Sequence, residues 1–161
     1  MTLTPVQTRT DRGVFYTLYS HSCEEREKQE YDVPFGKFEE MYNRQIGTAT
    51  YICKVKDTAV GYAIVKTHPH TLTPEVVDLM SVYVLPEYRH RGYGRNSIRL
   101  MAELYDGKSI SLTVPQKNVK LENFFYKGFL TIGYTDRFNE FSIEAKSQNA
   151  IFHLYQRRAL S

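Results

Sequence analysis

The stretch from Val76 to Tyr105 constrains this chain more than any other. Val76 to Leu85 is apolar on both faces except at Asp78 and Ser81, the pattern of a strand buried in the middle of a sheet. Leu85-Pro86-Glu87-Tyr88 ends it. Arg89-His90-Arg91-Gly92-Tyr93-Gly94-Arg95 then opens directly into a segment whose Ile98, Met101, Ala102 and Tyr105 share one helical face, closed by Asp106-Gly107. A strand, a basic loop with alternate glycines and a helix, in that order, make an anion cradle. Glycine lets the backbone adopt unusual dihedrals and approach a ligand closely. The first amides of a helix are unpaired and point outward at the favourable end of its dipole. Arg89, Arg91 and Arg95 add charge suited to a diphosphate. The plainer alternative is a surface turn whose glycines only join strand to helix; proline, arginines and helix in this order weigh against it.

At 161 residues the chain fits one domain spanning 1–161, able to bury roughly two thirds of its unfolded surface without disulfides or metal. Its content of 42% hydrophobic and 24% charged residues is globular. Cys23 and Cys53 make neither a disulfide framework nor a metal pair, and no metal is expected. A net charge of +3 does not mark a nucleic-acid binder. No apolar run approaches the ~20 residues of a membrane span, and Met1-Thr2-Leu3-Thr4 does not begin a signal peptide. The expectation is a cytoplasmic protein with no membrane partner.

The remaining segments read as a mixed α/β order. Thr4 to Thr10 suggests a short strand and Arg12 to Gln29 a helix, with Phe15, Leu18, Tyr19 and Ser22/Cys23 on one face. Its second half, Glu24 to Asp32, is acidic, and Pro34 stops it. Phe35 to Gln45 reads as a second helix ending before Gly47. Ala49 to Lys54 and Ala59 to Lys66 form a hairpin across Lys56-Asp57-Thr58. The loop beyond carries His68 and His70, read as exposed, while Cys53 and Cys23 read as packing residues. Ile110 to Val114 alternates as a strand, Asn118 to Lys127 is a short helix, and strands follow near Phe129 to Tyr134 and Ile151 to Gln156. Between those two, Phe141 and Ile143 leave room for a further strand.

Arg89-x-x-Gly92-x-Gly94 after a Val-x-Pro-x-Tyr strand end resembles the acyl-CoA-binding signature of the GCN5-related N-acetyltransferases, the GNAT family. Asn118, followed by Phe124-Phe125-Tyr126-Lys127-Gly128-Phe129, resembles that family's second signature. The element order matches too, from about Thr4 to Leu160. The resemblance implies a single GNAT-like domain with a mixed, mostly antiparallel central sheet flanked by helices. It implies acetyl-CoA as co-substrate, its pyrophosphate held by the loop of Arg89, His90, Arg91, Gly92, Tyr93, Gly94 and Arg95. Val82, Tyr83 and Val84 would pair with the pantetheine arm, and one of their amides would polarise the thioester carbonyl. Asn118 would bond the pantetheine or the chain beside it.

The same resemblance implies transfer of acetyl to a primary amine, with Tyr126 as the acid that receives the thiolate. Only Lys127 separates Tyr126 from Gly128, where the family leaves three residues. Counting back from Gly128 therefore puts Phe124 in the tyrosine's place, and counting forward from Asn118 puts Phe125 there, beside the cofactor. For the base, Asp78 and Glu75 lie on or just before the central strand; an acid desolvated there would have a raised pKa. The acidic Glu24–Asp32 run would suit a cationic acceptor, or is a solvated face. Small molecule, protein and aminoacyl-tRNA all remain open as acceptors, and exposed tyrosines or an exchanged last strand would support a homodimer. Two rivals stay beside this reading: a toxin-type enzyme acetylating aminoacyl-tRNA, and an acyl-CoA-binding regulatory module with impaired catalysis.

Overall fold

The computed structural model describes residues 1–28, 47–69, 72, 76–105, 108–115, 138–146 and 149–156. In chain order these form β1 (Thr2–Pro5), α1 (Arg9–Lys28), β2 (Thr48–Val55), β3 (Thr58–Thr67) and β4 (Val76–Val84). A 3-10 turn at Pro86–Tyr88 leads to α2 (Tyr93–Leu104), β5 (Ser109–Pro115), β6 (Phe138–Lys146) and β7 (Asn149–Gln156). The expected helices at Phe35 to Gln45 and Asn118 to Lys127, and the expected strand at Phe129 to Tyr134, lie outside the described residues. The sheet is mixed and mostly antiparallel, as expected: β4 and β5 pair in parallel, while β1/β2, β2/β3, β5/β7 and β6/β7 are antiparallel.

Two compact units make up the chain: Met1–Lys66 with Ser81–Ser97, and Thr67–Met80 with Ile98–Ser161. In the first, β1, β2, β3 and the end of β4 are neighbours in that order; in the second the order is the start of β4, then β5, β7 and β6. The β4/β5 register runs from Val76↔Ser109 to Leu79↔Leu112, although β4 continues to Val84. Strand β6 occupies the segment around Phe141 and Ile143 that the sequence left open, with Phe141 opposite Leu154 and Ile143 opposite Phe152.

The first unit is built by α1 lying on β2 and β3. Phe15, Leu18, Tyr19 and Cys23, spaced along one helical stripe, pack with Ile52, Tyr62 and Ile64. Residues Val60 to Val65 of β3 are all buried, because both faces of this strand are covered. Gly61 has a specific reason to be glycine: a side chain there would collide with the Tyr83 carbonyl of β4. One polar pair is sealed into this core. The Ser22 hydroxyl donates to the Tyr19 carbonyl (3.0 Å), so the Tyr62 hydroxyl must be the donor to Ser22 Oγ at 2.7 Å.

The start of α1 differs from the sequence expectation, and the reason is local. Rather than continuing a strand to Thr10, β1 stops at Pro5 and the helix begins at Arg9. Thr8 Oγ1 accepts the Asp11 amide at 3.0 Å, while Asp11 Oδ2 accepts the Thr8 amide at 3.1 Å and the Gln7 amide at 3.3 Å. That reciprocal capping box satisfies donors that the first turn otherwise leaves open. The Thr8 amide, then the Thr8 hydroxyl and the Gln7 amide hold the Asp11 carboxyl below its ordinary range. A depressed folded-state pKa contributes stability that is present above the unfolded value of ~3.9 and is lost as pH falls through the folded value. Thr8→Ala should cost about 1 kcal/mol and lower the melting temperature by about 3 °C at neutral pH. Asp11→Ala should lower it at pH 6 and show a shrinking difference from wild type as the pH drops below ~3.9, followed by thermal melts across that range.

Candidate active site

The junction from β4 to α2 is assembled from short-range backbone bonds. The Leu85 amide donates to the Val60 carbonyl of β3 at 2.9 Å and fixes where β4 stops. Pro86 opens the 3-10 turn, in which the Tyr88 amide bonds to the Leu85 carbonyl (2.9 Å) and the Arg89 amide to the Pro86 carbonyl (3.3 Å). His90 and Gly92 then take left-handed φ values of 63° and 82°. Glycine adopts this freely, whereas histidine does so at a cost. The Asn96 amide bonds to the Gly92 carbonyl at 2.9 Å as α2 begins. Among the described residues, the amides of Tyr93, Gly94 and Arg95 have no backbone acceptor.

Around those amides the loop is basic. Arg91 is exposed, with its guanidinium 5.9 Å from the Tyr88 ring centroid. Arg95 Nε is buried with no hydrogen-bond partner, a donor still waiting for an acceptor. A side chain built on Gly92 meets nothing within 4 Å, so the loop stands open there. Open helix amides, an orphaned guanidinium donor and a glycine that leaves access fit a diphosphate. The first turn of α2 is anchored from beneath. Ser97 Oγ donates to the Tyr93 carbonyl (2.8 Å), which leaves the Cys53 thiol as donor to Ser97 Oγ at 3.4 Å. Burial pushes the Cys53 thiol up to about 11, so it remains neutral and packs as the sequence suggested.

Arg89 is engaged within the protein itself. Its Nη1 and Nη2 donate to Glu25 Oε1 and Oε2 at 2.5 and 2.7 Å, and its Nε donates to the Val84 carbonyl at 2.9 Å. The guanidinium also lies 5.5 Å from the Tyr83 ring centroid, and the Tyr83 hydroxyl donates to Glu25 Oε2 at 2.9 Å. A planar fork matched to a carboxylate is a strong, directional pair, so this arginine's charge is already matched. Glu25 raises the Arg89 pKa further, while burial first and Glu25 second push the Tyr83 phenol above its ordinary range. Glu25 also leaves the acidic run of α1 one charge weaker toward any acceptor.

In the second unit, Asp78 and His68 form a pair that sequence reasoning did not foresee. His68 Nε2 and Asp78 Oδ2 are 2.6 Å apart. The expected exposed histidine has a side chain only 24% accessible, and the expected desolvated acid is 42% accessible. The available signal was positional: His68 directly follows β3 and Asp78 is the third residue of β4. Val82, Tyr83 and Val84 are half-buried on the part of β4 past its β5 register. Glu75, His70, Asn118, Phe124, Phe125 and Tyr126 lie outside the described residues. Among the described residues no group of three or more His, Cys, Asp or Glu could hold a metal.

A strand that leaves its parallel register and leads through a proline turn into an open helix start belongs to a mixed α/β fold. The chain belongs to the acetyltransferase (GNAT) family, whose model matches residues 15–129. No curated protein matches it in sequence. Solved structures resemble it at low identity. An acetyltransferase from Thermus thermophilus is 15% identical with TM-score 0.70, over 97% of this chain and 96% of that one. Tetrahymena GCN5 is 13% identical with TM-score 0.62, over 98% and 97%. The PaiA N-acetyltransferase from Thermoplasma acidophilum, in complex with coenzyme A, is 18% identical with TM-score 0.53, over 85% and 77%. At such identities the likeness is one of fold.

Gly92→Trp should abolish detectable coenzyme A binding in calorimetry while the far-UV dichroism stays that of a folded protein. The left-handed φ adds about 1–2 kcal/mol of strain, seen as a lower melting temperature. Normal coenzyme A affinity in this variant would remove the loop from the binding site.

Proposed function

We propose that the chain is an N-acetyltransferase, a single domain spanning 1–161, that moves the acetyl group of acetyl-CoA to a primary amine by direct attack on the thioester. The observation that carries this reading is the start of α2, where the open Tyr93, Gly94 and Arg95 amides sit beside the partnerless Arg95 Nε in a chain of this family. When bound, acetyl-CoA supplies the activated acyl group. The loop amides and Arg91 take the diphosphate. Backbone groups of Val82 to Val84 take the pantetheine arm, and one amide there steadies the carbonyl oxygen as it gains charge. From the family's second signature, Asn118 and Phe125 are proposed as further cofactor-binding residues.

An alkyl amine of pKa ~10.4 reaches the enzyme protonated and must lose protons to react. The His68–Asp78 pair supports a base: Asp78 fixes the imidazole's orientation and steadies the charge it gains, and the imidazole accepts the proton. Asp78 lies on β4, the strand that carries Val82 to Val84. Glu75 is the other carboxylate proposed for this step. The new C–N bond replaces the C–S bond: the ammonium gives one proton to solvent before attack and a second to the base as the bond forms, the departing thiolate takes a proton from Tyr126, and the base's proton is returned to the Tyr126 phenolate through solvent. The acceptor is an amine of a small molecule, a protein or an aminoacyl-tRNA. No described helix is long and apolar enough to cross a membrane, and a cytoplasmic setting suits the cofactor.

Thermal melting with acetyl-CoA at about one hundred times its Kd should show roughly 2.7 kcal/mol of stabilisation, about 5–10 °C. No shift in a folded sample free of copurified coenzyme A would overturn the reading. A shift without thiol release for any amine would point instead to the acyl-CoA-binding module. His68→Gln should lower kcat about 10²-fold with unchanged acetyl-CoA affinity; an unchanged kcat would remove the pair from the chemistry.

A further inference from the structure

We infer that Glu25, far from the loop in sequence, is a positioning residue for cofactor binding: through Arg89 and Tyr83 it sets the geometry of the β4–α2 cradle. The inference rests on the reading of that cradle as the coenzyme A site. Both groups that Glu25 holds matter to the loop for different reasons. Arg89 is the residue before the left-handed His90, and its Nε folds back on the Val84 carbonyl, five residues earlier. Tyr83 lies on β4, with its ring stacked on Tyr62 at 5.6 Å on one side and the Arg89 guanidinium 5.5 Å from its centroid.

Glu25 therefore reaches Tyr83 near the end of β4 and Arg89 at the start of the loop with one carboxylate. A non-glycine residue in the left-handed region persists only where its surroundings over-determine it. His90 follows directly on the residue that Glu25 fixes. Matching Arg89 also keeps that guanidinium from swinging into the cradle, so that Arg91 and the Arg95 donor are left to meet the ligand.

A purely stabilising ion pair is the competing explanation, and exposure argues against it. The side chains of Arg89 and Glu25 are 35% and 26% accessible, so water screens the pair, and even its forked geometry adds only modestly to the stability of the whole domain. Their effect should appear in the cofactor's affinity more than in the melting temperature.

The test compares coenzyme A with pantetheine, which lacks the diphosphate, in calorimetry on wild type, Glu25→Ala, Glu25→Gln, Arg89→Lys and the Glu25→Ala/Arg89→Lys double variant. Each single variant should weaken coenzyme A about ten- to hundredfold, the scale of a charge-assisted hydrogen bond, and leave pantetheine affinity nearly unchanged. The double variant should be no weaker than the weaker single one, because both break the same unit. Arg89→Lys should fail to restore affinity, since an ammonium cannot fork onto both carboxylate oxygens. Wild-type coenzyme A affinity in a folded Glu25 variant, or equal loss for both ligands, would overturn the inference and leave the site reading standing. Wild type that fails to bind coenzyme A would overturn both. Glu25→Gln keeps the shape of the side chain and decides the matter if Glu25→Ala does not fold.

Discussion

The Tyr83 carbonyl occupies the space that any side chain on Gly61 would need, and the junction from β4 to α2 is built on that close approach. It draws β4 tightly against β3 at the point where β4 has run past its register with β5. The Leu85-to-Val60 bond ties the chain to β3 one residue after β4 ends at Val84, and the proline turn follows at once. Tyr83 is held at its backbone by this packing and at its ring by Tyr62, which the buried Ser22 hydroxyl fixes in turn. The segment proposed to face the cofactor is thus one whose main chain has little freedom left. Preorganisation of this sort matters because donors already aimed at a developing charge need no reorganisation when it appears.

Charge in the loop is divided by structure rather than by sequence. Arg89, Arg91 and Arg95 look equivalent in the motif, yet Arg89 commits its fork to Glu25, Arg91 is exposed over Tyr88, and Arg95 has a buried Nε without a partner. Net charge says nothing about this division. A basic motif is an inventory of cations, and only the fold decides which of them are already matched.

What could be read in the sequence followed local rules. The strand, loop and helix from Val76 to Leu104 were legible because hydrophobic period, proline and glycine act over a few residues. The hairpin of β2 and β3 was legible for the same reason, its turn carrying Lys56 at a φ of 55°. The start of α1 escapes the pattern because Thr8 sits in a run of alternating threonines that imitates a strand, with Asp11 just beyond it, and only their reciprocal bonds expose the cap. Long-range pairing was illegible. Glu25 and Arg89 are 64 residues apart, and periodicity assigns each to a face without naming its partner. The His68–Asp78 pair spans only ten residues, but it depends on how the chain returns between two strands.

The loop carries costs of its own. His90 is held left-handed, the amides opening α2 have no backbone acceptor, and Arg95 Nε is buried without a partner. Each would be relieved more readily by a different sequence: glycine at His90, a capping side chain before Tyr93, an acceptor near Arg95. The cap is informative because this chain does build one at α1, with Thr8 and Asp11. At α2 the corresponding positions are glycine and arginine, which offer no oxygen to those amides. A bound anion would satisfy backbone amides and guanidinium together, which is why these donors support the proposed diphosphate site.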